Sequence, residues 1–127
     1  MTGLTELCKL AYKYGSDKCP QIGHNYTQFY YEYFKDKRDS IKKVLEIGVG
    51  NFRQYKHIKN YHLGASLYMW RDFFPNAQIY GIDIDPTSVF DDGRVKTFQC
   101  DATKKEELEN VIKQIGTDID VVVDDGS

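Results

Sequence analysis

Carboxylates and glycines recur in this chain directly after short apolar runs: Glu46-Ile47-Gly48-Val49-Gly50, Asp83-Ile84-Asp85, Cys100-Asp101-Ala102 and Asp124-Asp125-Gly126. Each residue type has a chemical use in such a place. Gly48 and Gly50 let backbone N–H groups approach a ligand with no Cβ in the way. A carboxylate in the position of Asp83 can accept hydrogen bonds from both hydroxyls of a ribose. Asp101 can accept from an adenine amino group while the Ala102 N–H donates to a ring nitrogen. No lysine or arginine lies in the glycine turn, so a ligand with ribose and adenine but no phosphate suits the set. Asp124 and Asp125 read as a ligand or metal site, or as a plain turn after a strand.

Plainer roles stand beside these. Gly48 and Gly50 can simply turn a strand into a helix, and Asp85 can open a turn with Pro86. Asp101 can be a carboxylate favoured by a helix dipole, a role compatible with ligand contact. His57 and His62 fall in a polar stretch and read as solvated, whereas His24, just before an aromatic helix, is a candidate for a pocket wall.

The elements that position these residues follow from periodicity. Leu4, Leu7, Cys8 and Ala11 fall on one face of a helix that Gly15 can end. Tyr26, Phe29, Tyr30, Tyr33 and Phe34 form a second helical stripe, read as core packing with a share in a sugar-binding wall. Val44 to Ile47 is a buried strand entering a glycine turn. Ser66 can cap a helix carrying Leu67, Trp70 and Phe74, closed by Pro75. Gln78–Ile82 and Val95–Phe98 are further strands. Thr103-Lys104-Lys105-Glu106 reads as a capping box for a helix with Leu108, Val111, Ile112 and Ile115 inward, and Ile119–Val123 is a fourth strand. The expected fold is α/β: a Rossmann-like parallel sheet with helices on both faces, residues 1–40 forming an N-terminal helical cap and residues 41–127 the Rossmann-like region of one domain.

Composition excludes several classes. Of 127 residues, 41% are hydrophobic and 28% charged, which suits a folded rather than a disordered chain. A net charge of -2 offers no broad basic field for nucleic acid. Cys8, Cys19 and Cys100 have no zinc-like spacing, so a reducing, cytoplasmic setting is expected. No run approaches the ~20 apolar residues of a membrane helix, and no signal-like segment follows Met1, so no membrane partner is expected.

Val44-Leu45-Glu46-Ile47-Gly48-Val49-Gly50 resembles the first motif of class I S-adenosylmethionine-dependent methyltransferases. More narrowly, the chain is similar to the sugar O-methyltransferases of macrolide biosynthesis, the mycinamicin and macrocin type. The residues that carry this are Tyr14-Gly15-Ser16-Asp17-Lys18, the run from Ala65 to Pro75, and Val121-Val122-Val123-Asp124-Asp125-Gly126-Ser127. The resemblance implies S-adenosylmethionine surrounded by Glu46, Gly48, Gly50, Ser66, Asp83, Asp101 and Ala102. It implies a divalent metal such as Mg on Asp125 and a small-molecule acceptor, a sugar or glycosylated natural product. In that family a histidine directly after Asp-Gly-Ser acts as general base. This chain ends at Ser127, so no catalytic residue is assigned. The expectation is a sheet cut short after its fourth strand, inactive alone and prone to form a homo-oligomer through that strand's open edge. Two other readings remain: a non-catalytic nucleoside-binding module, and a nicotinamide-dependent oxidoreductase. The latter is disfavoured because Gly48-Val49-Gly50-Asn51-Phe52-Arg53 lacks a third glycine and Asp83 lies further on than the ~20 residues expected. The long polar segment from Asn51 to Leu63 departs from a simple strand-turn-helix.

Overall fold

The structure, a computed structural model, describes residues 5–16, 26–49 and 63–124. Helix α1 (Glu6–Tyr14) starts where the Thr5 hydroxyl accepts the Cys8 N–H at 3.1 Å, and it ends at Gly15. Gly15 takes a left-handed φ of 76°, which lets the Gly15 and Ser16 N–H groups bond Tyr12 O and Ala11 O. Helix α2 (Tyr26–Phe34) follows, then β1 (Lys43–Ile47), α3 (Ala65–Phe73) and β2 (Gln78–Asp83). A 3-10 turn (Pro86–Ser88) leads into β3 (Asp91–Asp92) and β4 (Val95–Gln99), and α4 (Lys105–Ile115) crosses to β5 (Val121–Asp124).

The sheet order is β3-β4-β2-β1-β5. All pairs are parallel except β3 with β4, which is antiparallel. From β1 the chain builds outward through β2 to β4, then returns to place β5 on the other side of β1. That reversal between β1 and β5 is the switch point where open α/β sheets bind ligands. Because side chains alternate along a strand, Val44 and Leu45 enter opposite cores. One core joins α1, α2 and α3 to the sheet through Leu7, Phe34, Val44, Leu67, Trp70, Phe73, Phe74 and Ile79. The other places Val111 and Ile115 of α4 against Leu45 and Ile82. Helices therefore cover both faces, as expected. No helix among the described residues is long and apolar enough to cross a membrane.

Several local expectations change. The aromatic stripe of α2 splits in two. Tyr30 and Phe34 meet Trp70 edge-on, with ring centroids 5.4 Å and 6.3 Å away, whereas Phe29 is 73% and Tyr33 60% exposed. On a helix, positions 29 and 33 lie beside 30 and 34 rather than behind them, and only one of these rows reaches α3. Tyr33 instead lies under the Lys37 ammonium, 4.0 Å from its ring centre.

Ser66 does not cap α3. The cap is Gly64, at φ 74°, where a Cβ would meet the Phe90 ring at 2.7 Å. No capping box forms before α4 either. Lys104 is the N-cap without a side-chain bond, and the Thr103 hydroxyl turns back to Asp101, a local turn that outcompetes the cap. The last strand begins at Val121 rather than Ile119. The two-residue β3 adds a fifth strand that its Asp-Asp composition conceals.

Arg94, in the turn between β3 and β4, donates to Phe74 O, Ala77 O and Arg71 O, which closes the C-terminal end of α3 over the sheet. The two aromatic rows of α2 give a direct test of this packing. Phe34→Ala is expected to cost about 3–5 kcal/mol. Phe29→Ala is expected to stay within ~0.5 kcal/mol. Urea unfolding of both variants checks this, and comparable losses would contradict the placement of α2.

Candidate functional site

The register sets the carboxyl ends of the strands side by side. Ile47 pairs with Ile82 on one side and with Asp124 on the other, and Asp83 pairs with Gln99. At Gly48 the backbone leaves β1 with φ 94°, a conformation that suits glycine, and its N–H still bonds Ile82 O at 2.8 Å. The next amide, Val49 N–H, donates to Asp83 Oδ2 at 2.9 Å, and Asp83 Oδ1 takes the Asp85 N–H at 2.9 Å. Half-buried Asp83 thus ties the glycine turn to the exit of β2.

Gly81, two residues earlier, is required by the same geometry. A Cβ there would come within 2.8 Å of both Leu67 Cδ1 and Val49 Cγ2. Its bare backbone lets the turn after β1 and the first turn of α3 settle together onto β2. Ser66 lies in that first turn, with its hydroxyl 3.4 Å from that of Ser16 at the end of α1.

At the end of β4, the Cys100 N–H bonds Asp83 O at 2.8 Å, which links this corner to the previous one. Asp101 Oδ1 accepts from the Thr103 hydroxyl at 2.6 Å and from the Thr103 N–H at 3.0 Å. These bonds, the hydroxyl's first, hold the Asp101 carboxyl below its usual range, so it is an ionised acceptor near neutral pH. The Asp101 N–H is held by Glu107 Oε1 at 3.0 Å. Ala102 is half-buried beside the second core. Burial pushes the neighbouring Cys100 thiol up, away from the thiolate form.

Glu46 is placed differently from the other candidates. It is 1% exposed, and its Oε1 accepts the Trp70 indole N–H at 2.7 Å. Asp85 is the turn residue expected of it, with Oδ1 accepting from the Thr87 N–H and hydroxyl. Asp124 ends β5 at the surface. Gly50 and Asp125 lie outside the described residues, as do His24, His57 and His62. Among the described residues no group of three or more His, Cys, Asp or Glu could hold a metal ion.

Sequence reasoning missed Trp70 as a partner of Glu46, because 24 residues and a change of element separate them. It also missed Glu107, one position beyond the Glu106 of the supposed capping box. A third omission is the clip between α1 and α3. Tyr14 OH donates to Asp72 Oδ2 at 2.5 Å, and Arg71 reaches both Tyr14 OH and Asp72 Oδ1. Tyr14 and the Arg71–Asp72 pair, from runs singled out separately in the sequence, are thereby joined in space.

The chain resembles known proteins. Residues 31–127 match the model of the FtsJ-like methyltransferases. Mycinamicin VI 2''-O-methyltransferase of Micromonospora griseorubida is 40% identical over 122 residues, 96% of this chain and 29% of that protein. Demethylmacrocin O-methyltransferase of Streptomyces fradiae is 34% identical over the same shares. A tetracenomycin-C rhamnosyl 2'-O-methyltransferase of Streptomyces olivaceus is 37% identical over 95% of this chain and 30% of its own length. The solved structure of the MycE methyltransferase in complex with Mg, SAH and mycinamycin VI superposes with a TM-score of 0.80 at 40% identity, covering 97% of this chain and 32% of that one. The chain thus spans 29–30% of the length of these relatives. With the family match running from α2 through β5, the chain belongs to the FtsJ-like methyltransferases.

Proposed function

We propose that this chain is the S-adenosylmethionine-binding region of an O-methyltransferase that acts on a sugar hydroxyl of a glycosylated natural product. The observation that carries this reading is the Asp83 carboxylate at the switch point, set against the glycine turn by its bond to the Val49 amide, where such a carboxylate suits a ribose. Asp101 takes the adenine amino group, with Ala102 N–H beside it, and Glu46, Gly48, Gly50 and Ser66 complete the surround. The names of the relatives support the acceptor class, since they are O-methyltransferases of mycinamicin VI, of demethylmacrocin and of a rhamnosyl tetracenomycin-C.

S-adenosylmethionine supplies a methyl group on a sulfonium sulfur, and the acceptor oxygen must lose its proton as the methyl arrives. A divalent cation eases that loss by lowering the hydroxyl pKa. We assign Asp125, the residue after β5, as a carboxylate for such an ion, Mg in the MycE complexes. Among the described residues no group of three or more His, Cys, Asp or Glu could hold that ion by itself. The buried free thiols of Cys8 and Cys100 support a reducing, cytoplasmic setting. Among the described residues β5 is last in the strand order and Val122 is 58% exposed, which supports self-association through that edge.

Calorimetric titration is expected to show binding of S-adenosylmethionine and S-adenosylhomocysteine and none of comparable strength for NAD; preference for NAD would overturn the reading. Asp83→Ala removes bonds of about 1.5–3 kcal/mol to each ribose hydroxyl, so affinity should fall at least tenfold. Unchanged affinity would remove Asp83 from the ribose. Light scattering over a concentration series tests self-association, and a monomer throughout would count against the β5 edge.

A further inference from the structure

The structure assigns Glu107, in the first turn of α4, as a positioning residue that holds the Asp101–Ala102 corner at the angle needed to read a nucleobase; this inference rests on the S-adenosylmethionine reading above. Lys104 is the N-cap of α4 and makes no side-chain bond there, so Glu107 stands at the third helical position. A glutamate in that position ordinarily reaches back to the N–H of its own N-cap. Glu107 reaches three residues further, and its Oε1 accepts the Asp101 N–H at 3.0 Å. Its Oε2 lies 3.8 Å from the Lys104 ammonium, an exposed pair that adds little. The carboxylate thus serves the loop that carries the candidate site rather than the start of its own helix.

Other bonds in this loop are of a different kind. The Thr103 hydroxyl and N–H donate to Asp101 Oδ1, and the Lys104 N–H donates to Asp101 O at 2.9 Å. These close the turn on itself and would travel with it if it tilted. The Glu107 bond ties the turn to the body of α4, whose Val111 and Ile115 are packed in the core with Leu45, Ile82 and Cys100. Within one residue the N–H and Cα–Cβ directions are linked through φ, a single soft torsion. Holding the Asp101 N–H therefore also aims the Asp101 carboxylate.

Aim matters here because adenine is read by two bonds of opposite sense. Its amino group donates to the carboxylate, and a ring nitrogen accepts from the Ala102 N–H. Hypoxanthine carries a carbonyl oxygen in place of the amino group and a proton on the adjacent ring nitrogen. Both bonds are then mismatched, and a corner held at the right angle rejects that base by leaving polar groups unpaired. A corner free to tilt loses the adenine bonds and with them the discrimination.

Calorimetry with S-adenosylhomocysteine and S-inosylhomocysteine reads this as a ratio of affinities. The unaltered chain should favour the adenosyl ligand by about tenfold or more. Glu107→Ala should cut that ratio by about three- to tenfold, through weaker binding of the adenosyl ligand. Glu107→Gln, whose amide oxygen still accepts the Asp101 N–H, should keep the ratio within about twofold. A merely structural role for Glu107 would lower both affinities together and leave the ratio unchanged. An unchanged ratio in Glu107→Ala, or an equal loss in Glu107→Gln, would overturn the inference. Should Glu107→Ala fail to fold, Glu107→Asp decides by the same ratio. It keeps the charge but is one methylene too short to reach, so its ratio should fall as well, and an unchanged one would overturn the inference. If the unaltered chain binds neither ligand, the S-adenosylmethionine reading fails and this inference falls with it. Discrimination by the unaltered chain that survives loss of the Glu107 carboxylate removes only the role of Glu107.

Discussion

The Asp83 carboxylate holds together two loops that would otherwise end in unpaired backbone donors. The turn after β1 and the exit of β2 each present an N–H group, from Val49 and Asp85, and one side chain accepts both. A strand end whose amides lack partners is costly to bury, and charge-assisted bonds to backbone N–H groups are among the stronger ones a protein makes. The main-chain oxygen of the same residue accepts the Cys100 N–H, so three strand ends are referred to one position. Their mutual geometry is set before any ligand arrives.

This corner can exist because of what is missing beneath it. Gly81 offers no side chain, and Leu67 and Val49 occupy the space that one would fill. The contact carries α3 close to β2 and the glycine turn down onto both. The far end of α3 is secured by Arg94, whose guanidinium donates to three carbonyls around that terminus. α3 is thus fixed at one end by close apolar contact and at the other by charged hydrogen bonds, with Trp70 between them. A rigid helix of this kind can present Ser66 to a site with small positional error, which binding geometry demands.

The N-terminal helices extend the same logic outward. Tyr14, Arg71 and Asp72 form a closed polar triangle, while the Arg71 guanidinium also lies 4.7 Å over the Tyr68 ring. Tyr68 donates in turn to Asp92, and burial together with that bond pushes its phenol up to about 12, so it remains a neutral donor at any physiological pH. The chain of contacts runs from α1 across α3 to β3. It secures the Gly15–Ser16 turn beside Ser66, at the border of the candidate site, by bonds that specify direction as well as proximity.

Much of this was legible from the residues alone. Short apolar runs marked β1 and β2, three-to-four spacing marked α1 and α4, and Glu46, Gly48, Asp83 and Asp101 at the ends of such runs marked the candidate site. These signals are local, since each depends on neighbours a few positions away whose spacing is imposed by the backbone. The tertiary structure decided which row of α2 is buried, that Gly64 rather than Ser66 caps α3, and that Asp101 draws Thr103 away from a capping box. It alone decided that Glu46 meets Trp70 across 24 residues, that Asp83 meets Val49 across 34 and that Tyr14 meets Asp72 across 58. No spacing rule encodes such pairs. They arise when close-packed elements bring particular donors within about 3 Å of particular acceptors, and that distance is set by the volume of every side chain between them.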